Sequence, residues 1–261
     1  MKQTLAECAR VAGEILRRHF GSALSWREKE NPSSIVTEAD LASERAILEI
    51  LDRRFPGDGI LAEESGHRPG KSGITWVIDP LDGTSNFAAG LPWFGVLLAV
   101  LQDTEPILGA LYLPLEDRLY LAESGQGTWR NGERLHLAEA SSLRRELCAY
   151  GMDACADEHQ LQRQALMMAR LLNRVRNLRA TNSLADAAFT LDGCLGGFIN
   201  HHCKIWDIAA TKLLFQEAGG ILADFTGREI QFDLGADACL RGYQVIGTNR
   251  HLLPQILDAL D

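Results

Sequence analysis

Two aspartates at the end of an apolar run carry the first chemical signal in this chain. The segment reads Trp76-Val77-Ile78-Asp79-Pro80-Leu81-Asp82-Gly83-Thr84-Ser85-Asn86-Phe87. The run Trp76 to Ile78 predicts a buried strand that stops at the aspartates. Pro80 fixes its own φ and restricts Asp79, so the chain leaves that strand in one defined direction. Two carboxylates held side by side repel unless they are protonated or neutralised by a cation. Oxygen-only ligation suits Mg²⁺ or Mn²⁺ better than zinc. Gly83, Thr84 and Ser85 are small and leave backbone N–H groups for an anion if a helix starts there. Metal ligands beside an anion cradle point to phosphoryl chemistry. The same Asp-Pro-x-Asp-Gly string also makes ordinary surface turns, so the reading depends on what the rest of the chain brings to this place.

Further acidic residues stand at comparable positions. Glu63-Glu64 follows the short apolar run Gly59 to Ala62, just upstream of the aspartates. Trp206-Asp207-Ile208-Ala209-Ala210 opens a helical stretch after the polar segment Asn200 to Lys204. Taken alone, Asp207 reads as an ordinary helix cap. Glu217, far along that stretch, reads as structural, and Gly219 or Gly220 as the helix stop.

These residues need elements to hold them. Leu5, Cys8, Ala12, Ile15 and Leu16 fall on one face of a helix from about 4 to 20, closed by Gly21. Thr37-Glu38-Ala39-Asp40 resembles a capped helix start, with Thr37 as cap and Asp40 three residues on. The helix that follows is expected to bury Leu41, Ile47, Ile50 and Leu51 and to end near Phe55-Pro56-Gly57. Strands are expected at 59–62, 95–101, 107–113, 118–122 and 127–130, with a tight turn at Asn131-Gly132. A composition shift over 138–145 marks the best boundary between an N-terminal α+β subdomain, 1–140, and a C-terminal α/β subdomain, 141–261. Beyond it come helices over 159–172 and 183–191, a strand over 197–199, a helix over 207–218, a strand at 221–223 and a final helix over 250–260. Mixed helices and strands of this kind predict layered sheets and helices.

Composition narrows the function classes. The 261 residues suit one large domain or two intimately packed ones, and 46% are hydrophobic. Lys and Arg number 26 against 35 Asp and Glu, a net charge of −9. That balance argues against a nucleic-acid-binding surface, so an anionic substrate needs metal ions or local cations. The cysteines Cys8, Cys148, Cys155, Cys194, Cys203 and Cys239 form no C-x-x-C pair and read as small core residues of a reduced, cytoplasmic protein. Residues 1–7 lack the apolar core of a signal peptide, and no stretch approaches a membrane span.

Together these residues resemble the inositol monophosphatase family of metal-dependent, lithium-sensitive phosphatases. Its string D-P-I/L-D-G-T-x-N-F is matched by Asp79 to Phe87. Its W-D-x-A-A…E-A-G-G pattern is matched by Trp206 to Gly220. A G-E-E-S-like pair is matched by Ala62-Glu63-Glu64-Ser65, and V-T-x-x-D by Val36 to Asp40. The order agrees over nearly the whole chain. The resemblance implies an α-β-α-β-α sandwich of the inositol monophosphatase and fructose-1,6-bisphosphatase type. It implies that Glu63, Asp79 and the Leu81 carbonyl hold a first Mg²⁺, and that Asp79, Asp82 and Asp207 hold a second. Glu63 and Glu64 contribute to a third, weaker site. Thr84, assisted by Asp40, orients the attacking water, with Glu63 beside them in the catalytic group. The Gly83 and Thr84 N–H groups hold the phosphate. Lys29 matches a lysine of the family's metal loop, or is a solvated lysine. The resemblance further implies a homodimer, while the charge balance and the lack of a membrane-length apolar stretch leave neither nucleic acid nor membrane as an expected partner.

The resemblance weakens at the leaving-group pocket. Family members that act on inositol phosphates usually carry a glutamate where this chain has Asn200. Asparagine both donates and accepts but carries no charge. Lys204 adds a cation that could meet a second phosphate or remain solvated. The usual Gly-Ser/Thr-Ala turn reads Thr181-Asn182-Ser183, with Ser183 as a substrate contact. Adjacent His201 and His202 point in different directions in an extended segment, which favours a strand end over a transition-metal site. The expected substrate is a small phosphorylated polyol or sugar, with inositol monophosphate as default. Fructose 1,6-bisphosphate, histidinol phosphate and 3′-phosphoadenosine 5′-phosphate are alternatives. A protein-interaction role is the non-enzymatic one.

Overall fold

The computed structural model describes residues 1–22, 26–28, 35–153 and 157–261. Lys29 and Cys155 lie outside the described residues. The helices are α1 (Lys2–His19), α2 (Glu38–Arg54), α3 (Thr84–Ala88), α4 (Glu158–Leu172), α5 (Leu184–Leu191), α6 (Ile205–Glu217) and α7 (Leu253–Leu260). A two-stranded pair comprises β1 (Trp26–Glu28) and β2 (Ile35–Thr37).

An 8-stranded sheet follows, of β3 (Gly59–Ala62), β4 (Gly66–Arg68), β5 (Ile74–Asp82), β6 (Gly95–Gln102), β7 (Glu105–Leu113), β8 (Arg118–Glu123), β9 (Gly127–Arg130) and β10 (Glu133–Leu135). Its spatial order is β10-β9-β8-β7-β6-β5-β3-β4, antiparallel except for β3 beside β5. A 5-stranded sheet contains β11 (Leu147–Gly151), β12 (Asn177–Arg179), β13 (Gly197–Cys203), β14 (Gly220–Ala223) and β15 (Tyr243–Asn249), in the order β12-β11-β13-β15-β14. The chain passes from one sheet to the other between Leu135 and Leu147, where the composition shifts.

The layers follow from strand periodicity. Alternate residues of a strand face opposite sides of the sheet, and β6 is apolar nearly throughout because both of its sides are covered. Val96, Leu98 and Val100 pack with Trp76 and Ile78 against α1 and α2. Leu97, Ala99 and Leu101 pack on the other side with Val77, Leu213 and Leu214. That second core holds α5 and α6 between the sheets, since Ala187, Leu191, Phe198 and Val245 join it. α4 and α7 cover the far face of the small sheet through Leu171, Ile246 and Ile256. The order is therefore α-β-α-β-α, as the resemblance implies.

Several expectations need correction. β5 does not stop at the aspartates. It runs through Asp79 and Pro80 to Asp82, with a register shift against β6 between the two carboxylates. Leu41 is 39% exposed and Ile15 only half-buried. The inward face of α2 is taken by Asp40, Ser43 and Glu44 before Ile47 and Leu51 continue it. β13 extends to Cys203, so His201 and His202 lie in a strand. α6 starts at Ile205, which places Asp207 in its first turn, and the final helix starts at Leu253. The short strands β1, β2, β4, β10 and β12, together with β11 and β15, go beyond the expected elements.

Candidate metal centre and its cavity

The bulge in β5 makes the site. Asp79 pairs with Leu97 and Asp82 with Gly95, so β5 carries one extra residue between its two aspartates. Such a bulge bends the strand and re-aims side chains. Ser43 Oγ donates to the Pro80 carbonyl at 3.0 Å, and the Leu81 N–H donates to Asp79 Oδ1 at 3.1 Å. Gly83 then turns the chain into α3 with φ 82°. A Cβ at Gly83 would meet the Trp93 carbonyl oxygen at 2.5 Å, so both backbone and space require glycine. Phe87 anchors α3 against Phe20 and Phe94.

Other elements deliver the remaining carboxylates. The Glu63 N–H donates to the Ile78 carbonyl at 3.1 Å, which sets Glu63 beside Asp79 at the end of β3. Glu44 accepts from the Glu64 N–H at 3.0 Å and so fixes the turn after β3. Asp207 Oδ2 accepts from the Lys204 N–H at 2.6 Å, which ties this carboxylate to the start of α6. Asp82 Oδ1 accepts from the Leu184 N–H at 2.6 Å, at the start of α5. Asn86 spans the two halves, donating to the Trp93 and Thr181 carbonyls at 2.9 and 2.8 Å.

Oxygens of Asp79, Asp82 and Asp207 all lie within 4.8 Å of one another. Burial and mutual repulsion show in their protonation. Asp79 is pushed well above the usual carboxylate range, first by burial and then by Glu63, Asp82 and Asp207. Asp207 is raised in the same direction, by burial and then by Asp82. Asp82 is pushed up to about 7 by burial, with Glu63, Asp186 and Asp153 adding to it against the Leu184 N–H. A hard divalent cation fits this donor set: it is all oxygen, it is close-packed, and its charges oppose one another until neutralised.

Beside the cluster, Thr84 Oγ1 lies 2.9 Å from the Leu81 carbonyl and 3.1 Å from Asp40 Oδ1. One hydroxyl proton serves only one of these acceptors at a time, and the oxygen keeps lone pairs for a third group. Asp40 Oδ2 accepts from the Thr37 N–H and hydroxyl at 2.8 and 2.6 Å. Burial pushes Asp40 up to about 6, against the Thr37 hydrogen bonds that lower it.

A cavity of about 870 Å³ opens over these groups. Glu63, Asp79, Leu81, Asp82, Gly83, Thr84, Ser183, Asn200 and Asp207 all line it, as do His201, His202 and Lys204. Asp40 and Glu64 do not: Asp40 lies behind Thr84, bonded to its hydroxyl, and the Glu64 N–H is held by Glu44. His201 is buried, with Nε2 2.6 Å from the Tyr150 hydroxyl, and burial lowers its pKa to about 4. Lys204 donates to the Leu240 carbonyl at 2.9 Å. Glu217 is a brace, accepting from the Gly125 and Gly127 N–H groups at 2.8 and 2.7 Å. Sequence reasoning missed Ser43, Glu44, Asn86, Asp153 and Asp186. The signal for Ser43 and Glu44 was their spacing from Asp40 on one helical face, i+3 and i+4.

A layered α/β fold with an oxygen-only acidic cluster at a bulged strand defines a class of metal-dependent site. Comparison with known proteins makes it specific: the sequence profile of the inositol monophosphatase family matches residues 1–260. The chain belongs to that family. It is 34% identical over 221 residues to a fructose-1,6-bisphosphatase/inositol-1-monophosphatase of Thermotoga maritima, covering 84% of this chain and 83% of the relative. It is 34% identical over 230 residues to Nus factor SuhB of Escherichia coli K12, covering 87% and 86%. A crystal structure of extragenic suppressor protein suhB from Bartonella henselae superposes with a TM-score of 0.90 at 28% identity, covering 99% of this chain and 97% of that one. Among the described residues, no helix is long and apolar enough to cross a membrane.

Proposed function

We propose that this chain is a Mg²⁺-dependent phosphomonoesterase acting on a small phosphorylated polyol or sugar, with inositol monophosphate as default. The observation that carries it is the convergence of Asp79, Asp82 and Asp207 beside Thr84 at the floor of one cavity. The double name of the Thermotoga maritima relative supports the phosphatase class and keeps fructose 1,6-bisphosphate as an alternative.

Asp79, Asp82 and Asp207, with Glu63 and the Leu81 carbonyl, would hold two Mg²⁺ ions, and Glu63 and Glu64 a third, weaker one. Divalent cations there lower the pKa of water and neutralise charge on the transferring phosphoryl group. The Gly83 and Thr84 N–H groups hold the phosphate at the start of α3. Thr84 turns its proton towards Asp40 or Leu81 and accepts a hydrogen bond from the attacking water. Water attacks phosphorus in line, its oxygen bonding to phosphorus as the ester P–O bond breaks, and the leaving oxygen takes up the proton that water gives up, so that the alcohol departs on the opposite side, towards Ser183 and Asn200. No protein nucleophile is required. Lithium inhibition, a homodimer, a cytoplasmic location and a division into subdomains 1–140 and 141–261 belong to the same proposal.

The test is phosphate release, with and without Mg²⁺, from inositol 1-phosphate, fructose 1,6-bisphosphate, histidinol phosphate and 3′-phosphoadenosine 5′-phosphate. Mg²⁺-dependent release from one of them is expected; Mg²⁺-independent release would overturn the reading. The relatives named Nus factor SuhB favour a second reading, a protein-interaction role. Leu161, Met168 and Leu172 of α4 support it, exposed at spacings of one helical face. A partner retained after loss of Asp79 would favour that role.

A further inference from the structure

Two neighbouring histidines of β13 are held by one residue of α4. Between Asn200 and Cys203 the strand carries one extra residue against β15, since Asn200 pairs with Val245 and Cys203 with Tyr243. A bulge of this kind re-aims side chains. The rings of His201 and His202 stand 6.4 Å apart at an interplanar angle of 44°. Gln164 serves both of them. It is 2% exposed, and it and Leu171 are the buried residues of α4. An amide thus stands where packing alone calls for an apolar side chain.

The hydrogen-bond directions fix the ring protons. Tyr150 has one hydroxyl proton and gives it to the Gln164 carbonyl at 2.7 Å. Its oxygen therefore accepts from His201 Nε2 at 2.6 Å, so His201 carries its proton on Nε2. The Gln164 side chain acts on His202 in the opposite sense. Its Nε2 lies 2.9 Å from His202 Nε2 and has only protons to offer. The imidazole nitrogen must accept, which puts the ring proton on Nδ1. Turning the amide over would reverse this, but it would bury two N–H donors where Oε1 now lies sealed, without a partner among the described residues. Orphaned buried N–H groups are rarer than under-satisfied carbonyl oxygens.

His202 lines the cavity, whereas Gln164 stands outside it. His202 Nδ1 has no partner among the described residues and is not sealed from solvent as Gln164 Oε1 is, so the open N–H of the ring faces the cavity. The His202 backbone N–H donates to Asn200 Oδ1 at 2.9 Å, which engages the acceptor of the neighbouring amide. This stretch of the leaving-group wall therefore presents a donor, and an oxygen lone pair satisfies it.

We propose that His202 is a specificity-determining residue, donating from Nδ1 to an acceptor oxygen of the leaving group, and that Gln164 is the positioning residue that sets this tautomer from outside the cavity. The leaving-group claim rests on the phosphomonoesterase reading; the tautomer claim does not.

The test uses the full chain with Mg²⁺ at pH 8. Nitrogen NMR of isotopically labelled histidine, with His202 assigned by its loss in His202→Ala, should show a protonated Nδ1 and a bare Nε2. Gln164→Met keeps the side-chain length and removes the donor, so the form protonated on Nε2 should appear. Calorimetric titration then compares oxoalkylphosphonates of three to five carbons with the alkylphosphonates in which CH₂ replaces the carbonyl. At the best-fitting length the oxo compound is expected to bind about fivefold tighter, the scale of one neutral hydrogen bond. His202→Ala and Gln164→Met should each bring the pair to within about twofold, with thermal midpoints reporting the fold. Should Gln164→Met fail to fold, the wild-type spectrum and His202→Ala still decide the matter. A proton on His202 Nε2 in wild type, an unchanged tautomer in folded Gln164→Met, equal or absent binding of both series, or a preference that survives His202→Ala overturns the proposal. Phosphate release from the matching esters is read separately. The expected tautomer and preference without release would remove the phosphatase reading and leave the roles of His202 and Gln164 in binding standing.

Discussion

Metal-free protein should lose stability as pH rises from about 4 to 8, and Asp82→Asn should remove a large part of that loss. Asp82 has a folded-state pKa of about 7 against an ordinary value of 3.8. A raised carboxyl pKa means that the folded chain holds its proton more tightly than the unfolded chain. The associated stability is complete below the unfolded value and is lost as pH climbs through the folded one. At about 1.4 kcal/mol per pH unit, the interval from 3.8 to about 7 is worth about 4 kcal/mol. Asp79 and Asp207 act in the same direction, as do Asp40 and Asp186, each pushed up to about 6. The amide oxygen introduced by Asp82→Asn can still accept from the Leu184 N–H, so the charge is the main thing removed. The assay is urea unfolding in EDTA at pH 5 and pH 8, for wild type and variant. Wild type should lose several kcal/mol between the two pH values, and the variant about 3 kcal/mol less, because only the interval from pH 5 to about 7 falls inside this window. Added Mg²⁺ should restore wild type at pH 8 by about 2.7 kcal/mol at a hundred times its dissociation constant. Parallel pH dependence in the two proteins would refute the reasoning.

Three further outcomes follow from the same geometry. Thr84→Ala removes the hydroxyl between Asp40 and Leu81 and should lower kcat by about 10²-fold while the Mg²⁺ midpoint stays in place, read by steady-state phosphate release. Gly83→Ala forces a Cβ against the Trp93 carbonyl at positive φ and should cost about 2–3 kcal/mol or more in denaturant unfolding. Glu44→Ala frees the Glu64 N–H and should raise the Mg²⁺ concentration needed for half-maximal thermal stabilisation, at a cost of about 1–3 kcal/mol in the metal-free protein.

Much of the site is legible in residue types, because its chemistry demands them. The Asp-Pro-Leu-Asp-Gly string alone also makes surface turns and Asp207 alone reads as a helix cap, so it is their joint order with Glu63-Glu64 and Val36 to Asp40 that makes the site legible. The bulge that turns Asp79 and Asp82 towards one point is not legible, since it comes from pairing with β6 rather than from local preference. Leu41 shows why apolarity alone misleads: α2 gives its inner face to Asp40, Ser43 and Glu44, which tie the helix to the site. Asp153 and Asp186 read as ordinary polar residues in the chain and gain meaning only where α5 and β11 meet the cavity. Short strands such as β12 and β4 owe their conformation to neighbouring strands, so their three residues carry too little pattern to be seen.

The central claim is that Asp79, Asp82 and Asp207 hold the ions that make phosphate transfer to water possible. Its most direct test is Mg²⁺-dependent phosphate release by Asp79→Asn and Asp207→Asn beside wild type, on whichever ester wild type turns over best. Each variant should remain folded and lose at least about 10³-fold in kcat/KM, the scale expected when a group central to electrostatic stabilisation is removed. Release within about tenfold of wild type from either folded variant would contradict the account.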